Sequence, residues 1–160
     1  MIDDIDRQIL SLLQQNARIP SSSIARKVGM ATSAIGERMR KLEERGILTG
    51  YEARISADAV ELGLTAYIYV QTNEPVGSDE TAEQLVEIPE VQEVHNIAGE
   101  DCYLIKVRVK DTPALSHLLR DPIGLIKTIT STRTTIVLET YKETSRLPLG
   151  NIDVTKRKRK

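Results

Sequence analysis

Ser33, Glu37 and Arg40 recur four and then three residues apart, so on a helix they line one face. Thr32 heads the stretch, Gly36 keeps the face low, Arg38 and Lys41 flank it, and Arg26 lies upstream. Hydroxyls, a carboxylate and guanidinium groups at that pitch suit one chemistry. They can hydrogen-bond base edges in a DNA major groove while neighbouring cations meet phosphates. The expected division puts Thr32, Ser33, Glu37 and Arg40 at the groove. Arg38, Lys41 and Arg26 touch phosphate or pair with acids. Glu37 either accepts from a cytosine amino group or orients Arg40 or Lys41.

Three elements must position that face. Ile35, Met39 and Leu42 repeat the same spacing on another side, which predicts a helix over 32–45. Before it, Ser21 is expected to cap a shorter helix with Ile24, Ala25 and Val28 on its apolar side, ended by Gly29. Helix, glycine turn, helix is the helix-turn-helix layout, whose second helix enters the major groove. A leading helix over 2–15, capped by Asp3 with Asp6 in its first turn, supplies Ile5, Ile9, Leu12 and Leu13 to close a three-helix core. The alternating stretch after Gly46, through Ile55, predicts a short β wing.

Helix pairs around a glycine also occur in proteins that bind no nucleic acid, so the distribution of charge matters. The chain is nearly neutral at net −1, but residues 18–45 hold seven Lys/Arg against three acids, a net of +4. Residues 51–145 hold 8 against 16, a net of −8, and residues 146–160 hold 6 against 1, a net of +5. A polyanion would repel the acidic middle and attract both flanks. The run Lys156–Lys160 is expected to be a disordered basic tail that adds to DNA binding or is neutral to it.

Other chemistries find little support. His95 and His117 are the only histidines and Cys102 the only cysteine; no zinc spacing, P-loop or nucleophile elbow occurs. No catalytic residue, metal or cofactor is expected, with His95 read as a strand side chain and His117 as a helix-surface residue. A single cysteine fits a reducing cytosol. No apolar run is long enough to span a bilayer, so no membrane partner is expected. Five tyrosines with neither Phe nor Trp speak against single-stranded RNA recognition.

The second half reads as β-α-β-β-α-β. Residues 65–72 alternate, with Ala66, Ile68 and Val70 on one side and Tyr67, Tyr69 and Gln71 on the other. Residues 80–88 form a helix stopped by Pro89; Val91, Val94 and Ile97 mark a second strand; Tyr103, Ile105, Val107 and Val109 mark a third. Pro113 opens another helix, and 132–141 make a β-branched fourth strand. The class is therefore α+β: a winged helix-turn-helix domain followed by a ferredoxin-like antiparallel sheet with helices on one face. The sheet's other face needs cover, which predicts self-association.

The segments Ile2–Leu10, Asn16–Arg18, Ile24–Ala25, Arg38–Leu48, Gly99–Ile105 and Ser131–Leu138, in that order, resemble the Lrp/AsnC transcription regulators of bacteria and archaea over about residues 1–149. The resemblance implies DNA-binding homodimers that assemble into octamers or similar rings. It implies a cytoplasmic, nucleoid-associated prokaryotic protein. It also implies a small-molecule effector, usually an amino acid, held near the contacts between dimers. Carried over by position, the effector residues are Gly99, Glu100, Asp101 and Tyr103 in a strand-connecting turn, with Thr132 and Thr134 nearby. An acidic side chain there would hold the α-ammonium group. Where many relatives have an acid, this chain has Cys102, so Asp101 must replace it or the specificity differs. Where relatives place Ser before the recognition helix, this chain has Ala31, and Thr32 is expected to cap the helix instead. The expected domains are 1–50 for DNA binding, 51–63 for wing strand and hinge, 64–145 for effector binding and assembly, and 146–160 for the basic tail. The competing reading is an architectural, nucleoid-type DNA-binding protein with no effector.

Overall fold

The computed structural model describes residues 2–150. The run Lys156–Lys160 lies outside them. The chain forms two compact units, one from residues up to Arg54 together with the chain from Glu143 onward, the other from Ile55–Lys142.

The first unit holds three helices: α1 (Asp4–Gln15), α2 (Ser21–Val28) and α3 (Thr32–Glu44). Asp3 caps α1 through a reciprocal pair of bonds: the Asp6 N–H donates to Asp3 Oδ1 at 2.8 Å and the Asp3 N–H to Asp6 Oδ2 at 3.2 Å. The other two helices begin without side-chain caps, against expectation. Pro20, not Ser21, occupies the cap position of α2; its fixed φ of −65° and ψ of 144° place Ser21 already inside the first turn. The same holds at α3. Ala31 adopts extended backbone, its carbonyl accepts from Ile35 at 3.2 Å, and Thr32 becomes the first helical residue rather than the cap. Gly29 ends α2 as predicted, in the left-handed conformation at φ +76°. Ile9, Ile24 and Ile35 are fully buried and Leu42 nearly so, giving the three-helix core that the apolar stripes required.

Residues 47–57 form no strand. A strand needs a ladder partner, and no described segment of the chain pairs with this one. Its start is tied back to the Leu42 carbonyl by the N–H groups of Ile47 and Leu48, and further along Tyr51 OH donates to Glu43 at 2.7 Å and Arg54 Nη2 to the Glu143 carbonyl at 3.0 Å. The described residues from Glu143 on pack on the same unit. The amide of Gln14, in α1, brackets Leu147, donating to its carbonyl at 3.2 Å and accepting from its N–H at 2.6 Å. Leu149 packs against the helical core.

The second unit is a four-stranded antiparallel sheet in the order β2 (Val91–Asn96), β3 (Tyr103–Val109), β1 (Leu64–Thr72), β4 (Ile129–Ile136), with α4 (Glu80–Val86) and α5 (Thr112–Arg120) as crossovers. Ala66, Ile68 and Val70 of β1 share one face with Tyr103, Ile105 and Val107 of β3, and all six are buried beneath Leu85, Leu115 and Leu118 of the helices. The opposite face presents Tyr67, Tyr69, Leu104, Lys106 and Arg133. β4 begins three residues before the predicted start and stops at Ile136 rather than Tyr141. Its ladder runs from Thr72↔Ile129 to Ala66↔Ile136, and the Val137 N–H to Thr65 carbonyl bond is the last; only Leu64 of β1 lies beyond that point.

Candidate nucleic-acid interface and effector turn

α3 buries Ile35 and Leu42 and turns Ser33, Glu37 and Arg40 to solvent, so the sequence-derived faces are the observed ones. The charged residues on that helix are not bare. Glu37 sits between Arg40 (2.8 Å) and Lys41 (3.3 Å), and Arg40 also grips Glu44. Hydrogen bonds from Arg40 first, then from Lys41, hold the Glu37 carboxyl down at about 2, so it stays ionised across the working pH range. Of the two roles open to Glu37, orienting Arg40 and Lys41 is the one its bonds display.

Arg38 points the other way. Its Nη1 donates to Asp6 Oδ1 at 2.6 Å and to Asp3 Oδ2 at 2.9 Å, tying the capping carboxylates of α1 to the middle of α3. The Asp6 side chain is only 11% exposed. Burial opposes charging the guanidinium, but the Asp6 bond outweighs it, and the Arg38 pKa is raised. Of the two fates expected for Arg38, it takes the acid pair. Arg26 stands exposed near the end of α2, Thr32 is exposed, and Lys41 is exposed but bonded to Glu37.

The effector residues predicted in the second unit fall on two sides of the sheet. Gly99 and Glu100 are exposed in the turn between β2 and β3, and Gly99 has φ +149°, a conformation any side chain would strain. Asp101, 15% exposed, accepts from Arg133 at 2.9 Å; Arg133 lies over the Tyr69 ring with 4.0 Å to its centroid. These three groups meet on the uncovered face. Tyr103 does not join them. It is buried on the helix side, where its OH donates to Glu74 Oε1 at 2.8 Å. Thr132 and Thr134 pair with Val70 and Ile68, so they too face the helix side, on the outer strand. Burial, then the Glu74 bond, push the Tyr103 phenol up to about 12.

Cys102 is half-buried against the sheet core, and its backbone is tied to Val70 and Ile97. Sequence reasoning missed Arg133 and Glu74, because the partners that tie them to the predicted residues, Asp101 and Tyr103, lie about thirty residues away. A separate concavity of about 330 Å³ lies between Leu62, Glu90, Lys110 and His117, and none of the predicted effector residues lines it. No helix among the described residues is long and apolar enough to cross a membrane.

Comparison with known proteins decides between the readings of this architecture. Residues 2–43 match the AsnC-type helix-turn-helix domain, and residues 65–147 match the Lrp/AsnC ligand binding domain. The chain belongs to the Lrp/AsnC family. The HTH-type transcriptional regulator FL11 of Pyrococcus furiosus is 34% identical over 149 residues, covering 93% of this chain and 97% of that one. The leucine-responsive regulatory protein of Escherichia coli K12 is 32% identical, covering 91% and 90%. Among solved structures, a transcriptional regulator of Neisseria meningitidis in complex with L-Met superposes with a TM-score of 0.86 at 30% identity, covering 93% and 97%. As an Lrp/AsnC transcriptional regulator, the chain pairs a DNA-binding unit with a ligand-binding one. The relatives named here are regulators, not enzymes.

Proposed function

We propose that the chain reads operator DNA with the outer face of α3 and adjusts that reading to an amino acid bound in the sheet unit. Ser33 and Arg40 meet base edges with Thr32 at the helix start, Glu37 sets the aim of Arg40 and Lys41, and Arg26 meets phosphate. The observation that carries the DNA half is the separation of faces on α3, with Ile35 and Leu42 buried and Ser33, Glu37 and Arg40 outward.

The effector half rests on the turn from Gly99 to Asp101 and its partner Arg133. An exposed turn with left-handed glycine backbone lets a ligand approach the main chain. Asp101 and Arg133 offer opposite charges for the two ends of a zwitterion: the carboxylate for the α-ammonium group, the guanidinium for the α-carboxylate. The N. meningitidis relative, solved with L-Met, supports an amino acid as the class. Tyr67, Tyr69 and Leu104 on the uncovered sheet face support homodimers, and a ring of dimers would place the turn at their contacts. The protein works in the cytoplasm on the nucleoid.

Light scattering coupled to size exclusion, repeated with each proteinogenic amino acid, tests this. One amino acid that shifts the mass or elution of a large assembly, with the response lost in Asp101→Asn, is the expected result. An assembly indifferent to all of them, with equal affinity for operator and mixed-sequence DNA, would favour architectural binding without an effector. A monomer would refute the assembly argument.

A further inference from the structure

The concavity in the sheet unit has the build of a small-molecule site, and it shares no lining with the effector turn. It measures about 330 Å³, within the range of ligand pockets, roughly 300–1,000 Å³. Its floor is apolar, because Val109 at the end of β3 and Leu118 in α5 are both buried. Leu62 and Ala114 line its sides, and the exposed residues Glu90, Lys110 and His117 bring polar groups to its mouth. Local structure holds the Leu62 side in place. The 3₁₀ turn Asp58–Val60 ends at Glu61, whose φ of +60° makes it the one non-glycine residue in the left-handed region among those described. Such backbone costs strain in any residue with a side chain. The Leu62 N–H closes the turn on the Ala57 carbonyl at 2.8 Å, and at Gly63 a Cβ would meet Asp58 Oδ1 at 2.6 Å. This strained turn sets Leu62 against the pocket and brings Glu61 within 2.8 Å of Lys110 Nζ.

We propose that this pocket takes a small apolar monocarboxylate, with its hydrocarbon tail on Val109, Leu118 and Leu62 and its carboxylate on Lys110 and His117. Lys110 immediately precedes Asp111, the cap of α5, and the N-terminal end of that helix also favours negative charge. The ion pairs already present do not bar the ligand. Lys110 with Glu61, and His117 with Asp121 at 3.4 Å, are more than half exposed at both partners. Pairs so open to water are weak, and a carboxylate whose tail is buried beside them competes well. Glu90 at the mouth repels a second carboxylate, which disfavours dicarboxylates. A zwitterion would bring its α-ammonium group up beside Lys110 and the positive end of α5 and would need Glu90 to hold it, so the plain acid is preferred.

The test is ligand-observed saturation-transfer NMR on the full chain, with 4-methylpentanoate as the ligand and leucine and glutarate run beside it. 4-Methylpentanoate should bind with a dissociation constant of about 1 mM, the strength of one charge-assisted contact and a small buried tail. Lys110→Gln should weaken it about tenfold. Glu61→Gln removes the competitor for Lys110 and should tighten it about twofold. Ala114→Met fills the cavity and should abolish binding. Lys110 and Glu61 are exposed, so their variants decide the matter even if Ala114→Met fails to fold. No binding by the full chain, or undiminished binding in Lys110→Gln, overturns the inference. So does loss of the signal in Asp101→Asn, which would put the ligand at the effector turn instead. Leucine or glutarate binding as tightly as 4-methylpentanoate overturns the monocarboxylate class.

Discussion

Arg38 sits on the helix proposed to read DNA, yet its bonds say that it positions that helix, and Arg38→Ala separates the two roles. Exposed ion pairs contribute about 0.2–1 kcal/mol, whereas removing one partner of a buried pair costs about 3–5 kcal/mol. This tie lies between those limits: Arg38 is 28% exposed, Asp6 11% and Asp3 53%. The loss of the guanidinium also leaves Asp6 with only the Asp3 N–H as a hydrogen-bond donor among the contacts described above. We expect a cost of about 1.5 kcal/mol, which lowers Tm by roughly 6–12 °C in a unit of this size. Acid should narrow the difference between the two proteins. Asp3 is held below its usual range by the Asp6 N–H first, with Arg38 contributing against the opposing effect of burial. A lowered folded-state pKa gives stability that is present above the ordinary carboxylate value and is lost as pH falls through the lowered one, so unfolding should be followed from pH 7 down to pH 3. A double-mutant cycle with Asp6→Asn isolates the pairwise energy. DNA affinity supplies the opposing readout. A positioning residue lowers affinity at every salt concentration and leaves the salt slope unchanged. An unaltered Tm together with a salt slope reduced by about 1 would make Arg38 a phosphate contact and refute the reasoning.

Three further outcomes follow from local geometry. Ala31→Ser restores the missing side-chain cap of α3 and should stabilise the protein by about 0.5–1 kcal/mol, while Thr32→Ala should leave thermal unfolding unchanged because Thr32 already lies inside the helix. Glu37→Gln releases Lys41 and leaves Arg40 with Glu44 alone, so affinity for mixed-sequence DNA should rise and its salt slope steepen. Because the Glu37 carboxyl titrates at about 2, the unaltered protein should show no change in binding between pH 4 and 5 from this group. Tyr103→Phe removes a hydrogen bond to an ionised carboxylate and should cost about 1.5 kcal/mol by denaturant unfolding. For Glu74, burial acts to raise the pKa, but bonds from Thr81 and Tyr103 outweigh it, so the stability it contributes fades as pH falls below the ordinary carboxylate range, and less steeply in the variant.

The sequence by itself determined the elements and their inner faces. Ile9, Ile24, Ile35 and Leu42 are buried as their helical spacing required, and Ala66, Ile68 and Val70 as their alternation required. Gly29 ends its helix and Asp3 begins one as their residue types predict. Such features are local: periodicity, a cap and a left-handed glycine involve residues within a few positions of each other. The sequence could not choose among partners far away in the chain. Asp3 reads as a cap, Asp6 as a first-turn acid and Arg38 as a partner of phosphate or of some acid, but only folding brings Arg38 within 3 Å of those two carboxylates, and Asp101, Arg133 and Tyr69 form a group only across strands. The helix caps failed for a related reason. A cap depends on which residue holds extended backbone, and Pro20 and Ala31 took that place ahead of the hydroxyl residues that composition favoured. The wing had strand-forming residues but no ladder partner among the described residues, and β4 stopped near the end of β1, because a strand is made by its partner as much as by its own side chains. Leu147, read only as part of a tail, proved to be held by the amide of Gln14, 133 residues earlier in the chain, a pairing no local pattern encodes.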